Sequence, residues 1–154
     1  MNLDRIDYDI LSLLQKDGRI SNKDLAARNG VSASTCLERV RRLRQGGVLT
    51  GFHAEVDPKS IGVGVQAMIA VRHSQRQEFS FEKLREDLLQ IPEVVAVYLL
   101  AGTLDYMVHV ATRDVDHLRD VCEKFISRSP VSHIETSLIL DYARNPSLQI
   151  YLDQ

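Results

Sequence analysis

Between Ile20 and Leu49 the chain reads ISNKDLAARNGVSASTCLERVRRLRQGGVL, two short helical patterns separated by Asn29-Gly30-Val31, with a run of arginines on the second. Few arrangements accommodate such a pair. Ser21 is placed to cap the first helix, with Asp24 three residues on completing a capping-box pattern, and Leu25 and Ala26 turn inward. Gly30 accepts the positive backbone angle of a tight inter-helix turn, and Val31 packs beneath it. The second helix is expected to begin at Ser32 and to break at Gly46-Gly47.

On a helical wheel, Ala33, Cys36, Leu37, Val40 and Leu43 gather as the buried stripe of that second helix, and Thr35, Glu38, Arg39, Arg42 and Gln45 lie opposite. The pattern predicts a helix-turn-helix whose polar face enters a DNA major groove. Lys23, Ser32, Ser34, Thr35, Glu38, Arg39 and Arg42 form the expected DNA-binding set. Recognition helices read bases near their N-terminus, which favours Ser34, Thr35 and Arg39 for base contacts and leaves Arg42 and Lys23 for phosphates. A basic, solvated amphipathic helix in an ordinary helical domain is the alternative reading of the same pattern.

Local charge supports DNA more than the whole chain does, because the formal net charge is -2. From Arg19 to Arg44 seven basic residues face only Asp24 and Glu38. Such a patch attracts phosphates by counterion release. Upstream, Ile6, Ile10, Leu13 and Leu14 recur at helical spacing after Asp4 as N-cap, giving a first helix to about Lys16 that Asp17-Gly18 ends. Downstream, Val48 to Val56 reads as a strand pair or wing bent at Gly51.

The pattern changes near Asp57-Pro58. Three segments are therefore expected: a winged helix-turn-helix domain over 1–56, a linker over 57–62, and a second domain over 63–154. In the last, Val63 to His73 predicts a strand, Phe79 to Gln90 a helix with Phe81, Leu84, Leu88 and Leu89 inward, and Val94 to Ala101 a strand. Leu104 to Thr112, a helix from about Val115 to Ser127 with Leu118, Val121, Cys122 and Phe125 inward, and Val131 to Leu140 repeat the order. Two such units predict a ferredoxin-like βαββαβ sandwich, making the chain α+β overall. In Leu104 to Thr112, Tyr106, Val108 and Val110 lie on one side, with Met107, His109 and Ala111 on the other. Helices cover one face only, so the second apolar set predicts sheet-to-sheet homodimerisation, which also delivers two recognition helices. The tail from Asp141 to Gln154 is expected to pack on its own domain.

Cys36 and Cys122 fall in different domains without ligand spacing, which reads as buried free thiols in a reducing compartment. No apolar run is long enough for a bilayer, and MNLDRIDYDI lacks a signal-peptide core, so a soluble, cytoplasmic protein without membrane association is expected. The five histidines are scattered. No nucleophile motif, phosphate loop or paired-cysteine site appears, and no enzyme, metal or cofactor is expected.

The segments LDRIDYDILSLLQKDGRISNKDLA (Leu3 to Ala26), VSASTCLERVRRLRQGGVLTGF (Val31 to Phe52) and AGTLDYMVHV (Ala101 to Val110) resemble the leucine-responsive and asparagine regulator (Lrp/AsnC) family, over nearly the whole chain. The resemblance implies a sequence-specific transcriptional regulator of double-stranded DNA, a homodimer assembling towards an octamer, and an amino-acid effector bound between subunits. It locates the effector near the hairpin after the second strand of the second domain. Leu100, Gly102, Thr103, Leu104, Asp105 and Tyr106 are the expected effector-binding residues there, with Thr136 and Ser137 of the last strand. Backbone N–H groups at the Gly102 bend are suited to a carboxylate and Asp105 to an ammonium group, while Leu100 and Tyr106 would line a side-chain pocket. A plain hairpin, with Gly102 supplying the backbone angle and Asp105 bonding the local main chain, is the alternative. Thr103 and Leu104 stand where many members have an acidic and then an aromatic residue, which leaves the effector's identity open. A nucleoid-structuring protein of low sequence specificity, and an Lrp-like decarboxylase of a haem precursor, are the other functions compatible with the resemblance.

Overall fold

Asp4 starts the first helix, α1 (Arg5–Lys16), as half of a reciprocal capping box: its carboxylate accepts the Asp7 N–H at 3.0 Å, and Asp7 accepts the Asp4 N–H at 3.2 Å. This computed structural model describes residues 2–73, 80–127 and 131–151. Ser21 caps α2 (Asn22–Arg28) by accepting the Asp24 N–H, and Ser32 caps α3 (Ala33–Gln45) by accepting the Thr35 N–H. Gly30 between them takes φ +64°, a left-handed value that a side chain would strain, as the turn requires. The Asn22 amide also donates to the Ala33 carbonyl at 2.8 Å, tying the start of α2 to the start of α3. Ile10, Leu14, Leu25, Ala26, Cys36 and Leu43 form the core of this unit. Burial pushes the Cys36 thiol pKa up, with nearby Arg39 opposing.

Two expectations for this region are corrected. Leu37 is 59% exposed and Ala33 is exposed, so the buried side of α3 is centred on Cys36 and Leu43, with Arg39 and Val40 half-buried. The cause is α1, which docks where its own carboxylates meet α3 arginines rather than on the middle of the apolar stripe. The β wing is also not formed: residues 50–56 contain no strand. An isolated two-stranded ribbon is marginal by itself, and Gly51 does not take a positive φ.

The chain divides into two compact units, Met1–Glu55 with Ala143–Gln154, and Val56–Tyr142. The tail thus groups with the first unit rather than with the domain it follows. Gln15 of α1 explains this by gripping the Leu148 backbone at both polar groups: its Oε1 accepts the Leu148 N–H at 2.6 Å, and its Nε2 donates to the Leu148 carbonyl at 3.4 Å. Arg144, Leu148 and Ile150 there line an open cleft of about 520 Å³ with Tyr8, Leu11 and Phe52. Leu152, near the end of that tail, lies outside the described residues.

The expected linker contains a single 3₁₀ turn, Lys59–Ile61, closed by Gly62. The second unit then runs β1 (Val65–His73), α4 (Phe81–Leu89), β2 (Val94–Leu99), β3 (Tyr106–Thr112), α5 (Val115–Ile126) and β4 (Val131–Leu138). The sheet order is β2-β3-β1-β4 with every pair antiparallel, the ferredoxin-like arrangement expected from the repeat. Ala67, Ile69, Val71, Tyr106, Val108 and Val110 of the sheet pack with Leu84, Leu88, Leu118, Val121 and Phe125 of the helices. Leu89, expected inward, is 50% exposed. Phe79 and the Phe81 side chain lie outside the described residues. Along β3, buried residues alternate strictly with half-buried Met107, His109 and Ala111 on the opposite face. Register puts Met68, Ala70, Tyr98, Glu135 and Ser137 on that same face.

Candidate nucleic-acid interface and effector region

The face of α3 that carries Ser34, Thr35, Glu38, Arg39 and Arg42 is concave. Ser32 sits at its start with its hydroxyl engaged locally: it accepts the Thr35 N–H and stands 3.0 Å from Ser34 Oγ and 2.8 Å from Thr35 Oγ1. Its role is that of a cap. The other two hydroxyls and Glu38 are exposed, as is Lys23 in the first turn of α2. Hydroxyls and carboxylates of this kind meet base edges in a major groove, where guanine N7, adenine N6 and cytosine N4 present acceptors and donors.

The two arginines behave differently from the expectation. Arg39 NH1 donates to Asp4 Oδ1 at 2.9 Å, to Asp4 Oδ2 at 2.8 Å and to Asp7 Oδ1 at 2.8 Å. Arg42 NH2 donates to Asp7 Oδ2 at 2.7 Å. The Asp7 side chain is fully buried, the Arg39 side chain is 20% exposed and that of Arg42 48%. The Asp7 backbone N–H, and then Arg39, hold the Asp4 carboxyl below its usual range, and the two aspartates raise Arg39 further. Arg39 therefore bridges α3 and α1, and Arg42 is partly engaged in the same way. A charge count from Arg19 to Arg44 misses this because the two carboxylates lie outside that window. One sequence signal points to them: Asp7 sits in the middle of the apolar stripe Leu3, Ile6, Ile10 and Leu14 on the α1 wheel, where a carboxylate needs a cationic partner. Arg41 and Arg44 are exposed beside Leu37 on another side of α3, with no ion pair among the described residues.

The expected effector residues do not converge within one chain. The hairpin between β2 and β3 is closed by Leu100 N–H donating to the Asp105 carbonyl at 2.9 Å, and Asp105 N–H donates to the Val71 carbonyl at 3.3 Å. Gly102 and Thr103 are exposed, and Leu104 and Asp105 half-buried. Gly102 does not take a positive φ, and a Cβ added there would meet open space, so neither the turn nor its packing demands glycine. Tyr106 is 3% exposed and packs in the core beneath the helices. Thr136 turns towards α5, with its Oγ1 3.5 Å from Cys122 Sγ, while Ser137 lies on the opposite face of β4. Strand β1 separates β4 from the hairpin. Among the described residues, no group of three or more His, Cys, Asp or Glu is placed to hold a metal ion, and no helix is long and apolar enough to cross a membrane.

Comparison with known proteins matches both units. Residues 3–44 fit the AsnC-type helix-turn-helix domain and residues 66–146 the Lrp/AsnC ligand binding domain. The chain is 41% identical over 147 residues to the HTH-type transcriptional regulator AldR of Mycolicibacterium smegmatis, covering 95% of this chain and 86% of that protein. It is 32% identical over 141 residues to the leucine-responsive regulatory protein of Escherichia coli, covering 91% and 86%. Among solved structures it is similar to the transcriptional regulator NMB0573 of Neisseria meningitidis in complex with L-Met, with TM-score 0.84, 28% identity and 94% of each chain covered. Such agreement, spanning the helix-turn-helix and the four-stranded sheet alike, means that the chain belongs to the Lrp/AsnC family of transcriptional regulators, with an N-terminal DNA-binding unit and a C-terminal ligand-binding domain.

Proposed function

We propose that this regulator binds duplex DNA sequence-specifically as a homodimer or larger even assembly, an octamer among them, and that an amino acid bound between subunits tunes its affinity. The observation that carries the reading is the incomplete site. The hairpin residues Leu100 to Asp105 and the β4 residue Ser137 are presented at separate places on one sheet, and α4 and α5 pack on the face opposite the one bearing Met68, Tyr98 and Met107. A second sheet against that face would cover the apolar side chains and bring a second set of effector groups alongside the first. The relative crystallised with L-Met supports an amino-acid ligand.

On the DNA side, Ser34, Thr35 and Glu38 read bases and Lys23 contacts phosphate, with Ser32 holding the helix start. The coupling is thermodynamic: an effector that prefers one assembly changes the spacing of the recognition helices, and shifts operator affinity by no more than that preference. The protein works in the cytoplasm, in keeping with its free thiols, as a regulator without enzymatic activity.

The test is binding of purified protein to duplex from its own promoter region and to random duplex of equal length, at two salt concentrations, with and without an amino-acid mixture. Promoter-specific binding that the mixture alters is expected. Equal affinity for both duplexes would favour nucleoid structuring instead, and no binding to either would overturn the assignment.

A further inference from the structure

Asp7 is the only buried charged side chain among the described residues. A carboxylate at that depth persists only with its lone pairs filled and its charge matched. Both conditions are met from outside its own helix: Asp7 Oδ1 takes Arg39, and Oδ2 takes Arg42 together with the Asp4 N–H. Asp4 adds two further acceptors to the same Arg39 nitrogen. Arg39 and Arg42 stand one helical turn apart on α3 and line the same concavity as Ser34, Thr35 and Glu38. Released from α1, their guanidinium groups would lie beside the base-reading residues and be free to take phosphate.

From this geometry we infer that Asp7, supported by Asp4, is a specificity-determining positioning residue that keeps Arg39 and Arg42 away from the DNA backbone. The inference rests on the proposed reading that Ser34, Thr35 and Glu38 face the groove. Phosphate contacts strengthen binding to every sequence alike, whereas base contacts discriminate. A recognition helix carrying two free arginines beside its reading face binds any duplex more tightly. With both held by α1, the same helix depends on short polar side chains, and the ratio of promoter to random binding rises.

The test compares the parent with Asp7→Asn, Asp4→Asn and the double variant Asp7→Asn/Arg39→Gln. Affinity for the promoter duplex and a random duplex is measured by fluorescence anisotropy across a salt series. Asp7→Asn is expected to bind random DNA more tightly and to lose discrimination about tenfold. Its plot of log affinity against log salt should steepen by about 0.9 for each additional phosphate that the freed arginines neutralise. Adding Arg39→Gln should bring the slope back towards the parent's. Asp4→Asn keeps a good N-cap while removing one charge from Arg39, so it decides the matter if Asp7→Asn does not fold. A merely structural Asp7 would lower both affinities together at unchanged slope, and that result overturns the proposal. A shallower slope in the variants also overturns it, because Arg42 would then be a phosphate ligand that Asp7 orients. A parent that binds both duplexes equally refutes the groove reading and this proposal with it, and is seen before any variant is made. A discriminating parent whose variants keep its slope and ratio refutes the clasp alone.

Discussion

His117 Nε2 donates to Glu93 Oε1 at 2.9 Å, linking the second helix of the sandwich to the residue just before β2. The other ring nitrogen, Nδ1, accepts the Arg113 N–H at 3.4 Å, so both sides of the imidazole are engaged, and Lys124 reaches the same Glu93 oxygen at 3.2 Å. Burial works against ionisation of Glu93. The bonds from His117, from its own backbone N–H and from Lys124 outweigh that, and its carboxyl lies below the ordinary value of 4.5. A depressed carboxyl contributes stability that is fully present above its unfolded value and is lost as pH falls through its folded value. Urea midpoints of the parent should therefore hold from neutral pH to about 5 and fall steeply below about 4.5. Glu93→Gln should cost about 1–2 kcal/mol at pH 7 and show a smaller fall, so that the two curves converge in acid.

Leu37 and Leu43 lie on one expected stripe yet differ completely in burial. Leu43→Ala should destabilise the first unit by about 2–5 kcal/mol, the range for buried leucine truncation. Leu37→Ala should change stability by no more than about 0.5 kcal/mol, as for an exposed position. Chemical denaturation followed by helical circular dichroism separates the two.

Thr35 and Lys23 should separate in the same way on DNA. Thr35→Ala is expected to weaken promoter binding by about 1–3 kcal/mol while leaving random-duplex binding unchanged. Lys23→Ala should weaken both duplexes alike and flatten the salt dependence by about 0.9. Anisotropy titrations with the two duplexes measure both effects.

Asp105→Ala should bind promoter DNA as the parent does and lose the response to the amino-acid mixture. Half-buried Asp105 belongs to the second unit and the recognition helix to the first, so a loss of basal DNA binding would refute its effector role. Calorimetric titration of each amino acid into parent and variant gives the ligand's identity and the loss together.

Much of the fold is legible in the sequence because local rules and long-range packing agree in it. Asp4, Ser21 and Ser32 cap the helices they precede, Gly30 makes the turn, and the strand and helix repeat gives the sheet order β2-β3-β1-β4. The failures share one origin. The pattern of its own element misplaces Leu37 and does not show the ion pairs of Arg39 or the depth of Tyr106, because their surroundings come from other elements: α1 selects the docked side of α3, and α4 and α5 cover Tyr106. Asp7 stands out in the α1 stripe, but its arginine partners lie more than thirty residues away and no local pattern names them. The effector region is the least legible part, because within one chain its residues point to different faces.

The grip of Gln15 on Leu148 sets an order of events during biogenesis. On the ribosome, α1, α2 and α3 emerge first and hold a core of their own, because N-terminal parts fold as they appear. The cleft beside α1 lacks the wall formed by Arg144, Leu148 and Ile150 until the ferredoxin-like sandwich has been translated and the segment after it returns. Closing so long a loop adds only a modest entropic cost, growing with the logarithm of its length, but it is necessarily late. A nascent chain therefore displays its DNA-binding helices before the tail is fastened to α1, and truncation just before Leu148 would leave Gln15 without that backbone partner.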